Sequence, residues 1–372
     1  MASVQEDPSP TQPLPALSSK QEEQFVRDGF VILRRAFPKD VAEGCRELLW
    51  QELQVKKGID RKNPETWPTH VGLTDCFVPR KEGWENDYSA NASDASTEHD
   101  NNYCKISTQA PTLWDRVVTF RLRRAIDQLV GGRDMWKVES LNLGWWAVSF
   151  PFPPTPSGKI LEECLGNESS LTNAEFCWRE HGAWHIDGNF QHHVDSAGVG
   201  LIPLMLFSDV KPQGGGTVLA AGSHHIVAQL LYQNKNGHGL SSPLVSRLAL
   251  ERPATLSNTV EFTGEAGDVA LVHPFLLHAR GMNWGREGED SVRFLCNPNI
   301  ELATLMNVHW GTVQDCRSRV EEAIIIARED ASWDRPLKRR RQRVRKNRKN
   351  RRKGPPRSSE QKLSIEEAPT SR

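Results

Sequence analysis

"GEAGDVALVHPFLLHARGMNW" (residues 264–284) holds four consecutive apolar residues, Val269–Val272, opened by Gly267-Asp268 and followed by two histidines, His273 and His278. A short apolar run bounded by turn formers reads as a buried β-strand that ends in potential metal ligands. That reading sends the search upstream. "WHIDGNF" (184–190) sets His185 and Asp187 two positions apart with an apolar residue between them. Alone, His-x-Asp arises often by chance. With a distant histidine it becomes the 2-His-1-carboxylate face of non-haem Fe(II) oxygenases. Three protein ligands on one side of a six-coordinate iron leave three positions open, enough for a bidentate 2-oxo acid and O2. In a jelly roll the first two ligands come from one strand or strand edge and the third from a later strand.

Such a site also needs a cation for the far carboxylate of 2-oxoglutarate, ideally Arg, which pairs bidentately. Arg293 lies in "SVRFLCNP" (291–298), between Val292 and Phe294, which point to the opposite face if the segment is a strand. An Arg in an otherwise apolar strand requires a buried anion as partner.

The rest of the chain is consistent with this. The 372 residues hold one large domain or two modest ones, with 37% hydrophobic and 25% charged residues. Twelve Trp against three Tyr fit aromatic packing around a cavity, and fit ordinary core filling equally well. Seven Cys, odd in number and without a C-x-x-C, argue against a disulfide framework or a cysteine zinc site and for a reducing compartment. No apolar stretch is long enough to span a membrane, and the first 18 residues read as a disordered leader without the apolar region of a signal peptide. A cytoplasmic location is expected, not a secreted one.

Zero net charge hides an asymmetry. Residues 335–372 carry sixteen Lys/Arg against three Asp/Glu, so +13 there balances −13 elsewhere. The run "KRRRQRVRKNRKNRRK" (338–353) is expected to be disordered, because like charges repel and almost nothing can be buried. Nuclear import or sequence-blind nucleic-acid contact is open to it, as is no role at all.

Helical spacing appears early: around Phe25 and Val26, over 38–53 with Asp40 placed to cap, and over 112–132, where Thr112 and Asp115 resemble a capping box and Gly131 supplies the stop. From residue 136 the texture changes to short strands rich in Val, Leu, Phe and Trp. Helices first and strands afterwards predict a mainly β fold, a jelly roll or barrel with N-terminal helices outside, spanning 19–333 between the leader and a disordered tail, 334–372.

"FVRDGFVILRRAF" (25–37), "CKIS" (104–107), "HID" (185–187), "GGTVLAAGSH" (215–224) and "GDVALVHPFLLHARGMNWGREGEDSVRF" (267–294) resemble the phytanoyl-CoA dioxygenase family over about residues 20–300. These are Fe(II)- and 2-oxoglutarate-dependent oxygenases of double-stranded β-helix (cupin-like) fold. The resemblance implies iron on His185, Asp187 and His278 (not His273), and 2-oxoglutarate on Arg293, with Lys105 and Asn283 approaching it. It implies hydroxylation of a small molecule by O2 with release of succinate and CO2. Related halogenases replace the carboxylate ligand with a small residue, so Asp187 favours oxidation. The chain departs from the family pattern at Ile186 (often Gln), Leu204 (often Trp), Arg280 (small) and in about four extra residues before Arg293.

Three rival readings stand beside this one. His181 and His185 could bind zinc on a helix, but Gly182 stands where zincins need Glu, and glycine breaks helices. A jelly-roll protein could bind ligands without catalysis, or the basic tail could be the functional part. Trp145, Trp146 and Trp184 are candidates for the substrate pocket, with alternation sending about half of them away from it. His192-His193 and His224-His225 read as loop and helix-cap residues.

Overall fold

The computed structural model describes residues 15–67, 106–151, 184–234, 237–281, 283, 291–309 and 312–330. They fall in a unit covering Met1–Arg328 and the start of a second, Glu329–Arg372. The basic tail, Lys105 and His181 lie outside the described residues.

Helix α1 (Ser19–Asp28) starts at a reciprocal capping box between Ser18 and Gln21 and ends at Gly29, whose φ of 82° gives the left-handed cap. Strand β1 (Phe30–Leu33) follows directly. The docked chain begins before Ser19, because Leu17 is buried and its N–H donates to Gln128 Oε1 at 3.0 Å. Helix α2 (Lys39–Lys57) has Pro38 at its N-cap, without a side-chain cap. Asp40 sits in its first turn and pairs with Arg116 at 2.6 Å. A short α3 (Ile106–Gln109) precedes two helices where the spacing predicts one: α4 (Pro111–Val117) and α5 (Phe120–Val130). The break falls at Thr119, whose hydroxyl accepts from Leu122 N at 3.1 Å to cap α5 and donates to Ala36 O at 2.6 Å. Gly131 ends α5 as expected, with φ 98°.

The strands are antiparallel throughout. With β2 (Trp145–Ser149), β4 (Ile202–Leu206), β8 (Val269–Val272) and β10 (Arg293–Asn297), β1 forms a five-stranded sheet in the order β1-β8-β4-β10-β2. β5 (Thr217–Ala220) is central in a three-stranded sheet between β7 (Thr259–Glu261) and β9 (His278–Arg280), and β3 (Gln191–His192) pairs with β6 (Leu240–Ser241). Phe30, Ile202, Leu204, Leu206, Ala270 and Leu295 of the large sheet share one apolar cluster with Leu219 of the small sheet, so the two sheets enclose a common interior. The other face of the large sheet is covered by helices. Trp114 of α4 packs on Phe207, which stands edge-on to Trp146 at 4.6 Å, and Trp50 of α2 meets Phe294 at 5.2 Å. With both faces covered, β4 and β8 are buried at every position, which is why they read as unbroken apolar runs rather than alternating ones.

Helices also interrupt the strand half, contrary to the order expected from sequence. α6 (Ser223–Gln233) and α7 (Ser242–Leu250) lie between β5 and β7, and α8 (Arg319–Glu329) follows β10. In α6, residues from Ser223 to Leu231 are buried with the sole exception of His225, so the helix lacks the polar face that marks a surface helix.

Three histidines meet where α6 packs against α1, α8 and the turn after β8. The rings of His224 and His273 are 4.9 Å apart, and those of His224 and His225 are 3.9 Å apart. His224 Nε2 donates to Val26 O at 3.0 Å, His273 Nε2 to Val320 O at 3.3 Å, and His225 Nδ1 to Ala323 O at 3.1 Å. His273 Nδ1 accepts from Phe275 N at 3.1 Å, so both of its ring nitrogens are occupied and it is no metal ligand. Burial drives His224 well below the usual histidine range and His273 down to about 3.

Candidate metal centre

His278 opens β9, where it lies opposite Leu219 of β5. Its other edge pairs with His185 through two backbone hydrogen bonds of 3.0 Å, each residue donating to the other. Residues opposed in an antiparallel bridge point to the same face. The two imidazoles therefore lie side by side, 4.4 Å between ring centroids. Asp187, two residues after His185, completes the group: its Oδ1 lies 3.4 Å from Nε2 of each histidine. The segment is pinned by Ser242 Oγ, which donates to Ile186 O at 2.6 Å, and it turns away at Gly188, whose φ is 112°. A β-carbon at Gly188 would come within 2.5 Å of the Phe190 ring.

The ligand atoms of His185, Asp187 and His278 all lie within 4.8 Å of one another, in the one cluster of this kind among the described residues. Two imidazole nitrogens and a carboxylate oxygen converging on a point match the donor set of a first-row divalent metal. His278 Nδ1 lies 3.0 Å from Leu276 O, which can only accept, so Nδ1 carries the proton and Nε2 presents its lone pair to the site. Burial by itself would push the Asp187 carboxyl up. The two imidazoles beside it, His185 and His278, outweigh that and hold it well below the ordinary carboxylate range, so it is ionised at neutral pH. The face is closed on one side and open on the other: the His185 side chain is 42% exposed, those of Asp187 and His278 8% and 5%.

A fourth residue, missed in the sequence, supports this group. Asn297, at the end of β10, donates from Nδ2 to Asp187 Oδ2 at 3.4 Å, and its buried Oδ1 has no partner. The signal was available: Asn297 is a polar residue four positions after Arg293 in an apolar strand, hence on the same face. Partners that orient a metal-binding carboxylate are worth about 10- to 100-fold in affinity. Asn297→Leu is accordingly expected to weaken Ni(II) binding by about that factor while leaving the thermal midpoint near wild type; titration of both proteins with Ni(II) reads it. Unchanged affinity would show that Asp187 holds its position without this contact.

Arg293 lies on the interior face of β10 with Leu295. It is 2% exposed, its Nε has no hydrogen-bond partner, and no carboxylate among the described residues lies within ion-pair distance. Burial, and then the positive charge of Arg280, bring it down to about 9, with Glu261 acting weakly in the other direction. A buried guanidinium in this condition is a site for an anion. Asn283 is buried close by, but it spends its amide hydrogens on Ser149 O (3.0 Å) and Ser291 O (2.7 Å) and so anchors the backbone around Arg293. Trp184 is buried immediately before His185. Trp146 corrects the sequence expectation of a pocket residue. Strand alternation turns it to the helical side, against Trp114 and Phe207. Trp145 lies in β2 by its backbone, and Lys105 is outside the described residues.

No family model matches this chain, and no curated protein matches it. Among solved structures, it is similar to the non-haem α-ketoglutarate-dependent carbocyclase SnoK of nogalamycin biosynthesis (14% identity, 80% of this chain and 89% of the other, TM-score 0.41). It is also similar to HygX of Streptomyces hygroscopicus with nickel and 2-oxoglutarate bound (15%, 78% and 88%, 0.41) and to EctD of S. alaskensis with 2-oxoglutarate and 5-hydroxyectoine (15%, 79% and 79%, 0.39). At such identities and scores the weight rests on the residues themselves: two imidazoles and a carboxylate on one face, and a buried, unpaired guanidinium in the same interior.

Proposed function

We propose that this chain is an Fe(II)/2-oxoglutarate-dependent oxygenase of double-stranded β-helix architecture that oxidises a small molecule. The observation that carries the reading is the conjunction of the half-open His185–Asp187–His278 face with the unpaired Arg293 guanidinium. A metal site alone suits many chemistries, and an anion site alone suits many ligands. Together they suit a ligand with a chelating 2-oxo acid at one end and a carboxylate at the other.

In this reading iron on the three ligands supplies the oxidising chemistry, coupling loss of CO2 from 2-oxoglutarate to oxygen insertion into a substrate bond. The chain's own contributions are geometric and electrostatic. His278 is locked in the Nε2-ligating tautomer by Leu276 O, and Asp187 is kept ionised and held by Asn297. Arg293 fixes the far carboxylate in surroundings dry enough to strengthen the pairing. Asn283 keeps the start of β10 in register with β2, and Lys105 is assigned a contact with the cosubstrate on the family resemblance. O2 and the substrate approach from the side on which His185 is exposed.

Anaerobic reconstitution with Fe(II), followed by 2-oxoglutarate and air, is expected to release succinate in an iron-dependent manner. It should do so even without the proper substrate, through uncoupled turnover. Absence of iron-dependent succinate, alone and with a panel of candidate small molecules, would count against the assignment.

A further inference from the structure

Residues 273–277 join the end of β8 to the metal ligand His278, and all of them are buried. A buried turn must find a partner for every backbone N–H. Pro274 has none to place. His273 N–H donates to Gly29 O at 2.8 Å, Leu276 N–H to His273 O at 2.9 Å, and His278 N–H to His185 O at 3.0 Å. The remaining two N–H groups go to side chains. Phe275 N–H donates to His273 Nδ1 at 3.1 Å, and Leu277 N–H to Ser223 Oγ at 2.9 Å. Ser223 is the first residue of α6 and is itself buried.

The metal site uses one product of these bonds. They hold the Leu276 carbonyl 3.0 Å from His278 Nδ1, the contact that leaves Nε2 with its lone pair. His273 is set for its part by the opposite tautomer. Val320 O of α8 lies 3.3 Å from Nε2 and can only accept, so Nε2 carries the proton and Nδ1 is the acceptor. Burial keeps the ring neutral through the neutral range, so that lone pair stays available. Without it Phe275 N–H would be buried and unpaired, and the turn would reorganise beside the Leu276 carbonyl.

We infer that His273 and Ser223 are positioning residues of the metal centre: by holding the 273–278 turn they fix the Leu276 carbonyl, and through it the orientation and tautomer of His278. The inference rests on the reading of His278 as a metal ligand. It gives the first histidine of "HPFLLH" (273–278) a part in the site without a bond to the metal.

The two ring nitrogens can be replaced one at a time. His273→Asn puts an amide oxygen where Nδ1 stands and gives up the bond to Val320 O. His273→Gln reaches Val320 O with its amide nitrogen and leaves Phe275 N–H without an acceptor. Each loses one hydrogen bond, so the two are expected to be destabilised to a similar extent. Titration of the full-length proteins with Ni(II) at pH 7.5 separates them. His273→Asn is expected within about threefold of wild type, and His273→Gln about 10- to 100-fold weaker. Ser223→Ala should weaken Ni(II) in the same way. Nitrogen NMR of the histidines in the metal-free proteins gives a second reading, the His278 signals being those lost in His278→Ala. They are expected to report the Nδ1–H tautomer in wild type and His273→Asn, and a mixture of tautomers in His273→Gln and Ser223→Ala. A merely structural role would lower the thermal midpoints of both His273 variants without separating their Ni(II) affinities. Equal affinities in those two variants, or the wild-type affinity and tautomer in Ser223→Ala, overturn the inference and leave the metal centre standing. Should the His273 variants fail to fold, Ser223→Ala decides. Wild type that binds no Ni(II) overturns the metal centre and the inference with it.

Discussion

Asp187→Asn is expected to abolish high-affinity binding of divalent metal, by well over the ~100-fold that loss of an orienting partner costs, and iron-dependent succinate release with it. The substitution conserves size and leaves His185 and His278 in place, but removes the negative charge that both Nε2 atoms face at 3.4 Å. A neutral amide is a poor ligand for a hard divalent cation and offsets none of its charge. His278→Ala should give the same loss by a different route, removing the ligand whose tautomer Leu276 O sets. Titration with Ni(II), alongside thermal midpoints that establish folding, reads both. Asp187→Asn with near wild-type metal affinity would show that the ion sits elsewhere, and the assignment of the centre would fall.

The second large effect concerns stability in acid. Folded His273 resists protonation down to about pH 3, and His224 is shifted in the same direction, both chiefly by burial. In the unfolded chain each ring takes up a proton near the ordinary histidine value of about 6.5. Between those limits the unfolded state binds more protons. Stability is therefore fully present above about pH 6.5 and falls as pH drops below it. Each ring contributes about 1.4 kcal/mol per pH unit, so His273 alone removes roughly 3 kcal/mol by about pH 4.5. Among the described residues the ionisable groups bearing on these rings are one another and His225, with no carboxylate among them to stabilise an imidazolium. His273→Asn, which keeps an acceptor for Phe275 N–H, is expected to lower stability at pH 7.5 and to flatten its decline in acid. Urea denaturation at pH 7.5, 6 and 4.5 measures both slopes; parallel decline of the two proteins would show that the ring titrates normally.

These two histidine sets also mark how far the sequence could be read. His185, Asp187 and Arg293 were legible because each is a polar residue in the wrong company, and metal and anion chemistry explain the misfit. The choice between His273 and His278 was not legible from the residues themselves: both follow the same apolar run and only a family resemblance separated them. Hydrogen bonds decide it, since Val320 O and Phe275 N–H occupy both nitrogens of His273, whereas His278 keeps Nε2 for the site. Trp145 and Trp146 were indistinguishable as a dipeptide, and register then sent Trp146 to the helical side. Asn297 escaped notice because its role depends on a partner some hundred residues away. The helix break at Thr119 escaped for a similar reason, since its hydroxyl is held by Ala36 O.

By itself the sequence determined the ends of α1 and α5 at their glycines, the position of β1, and the apolar runs that become β4, β8 and β10. All are local matters of backbone freedom and side-chain period. Tertiary structure alone decided which strands adjoin, and therefore that β10 brings Arg293 and Asn297 to the interior shared with His278. It also decided that the segment 223–233, with its polar residues Ser223, His224 and Gln229 buried, folds as the interior helix α6. Periodicity records which face of an element is apolar; it carries no record of what that face meets.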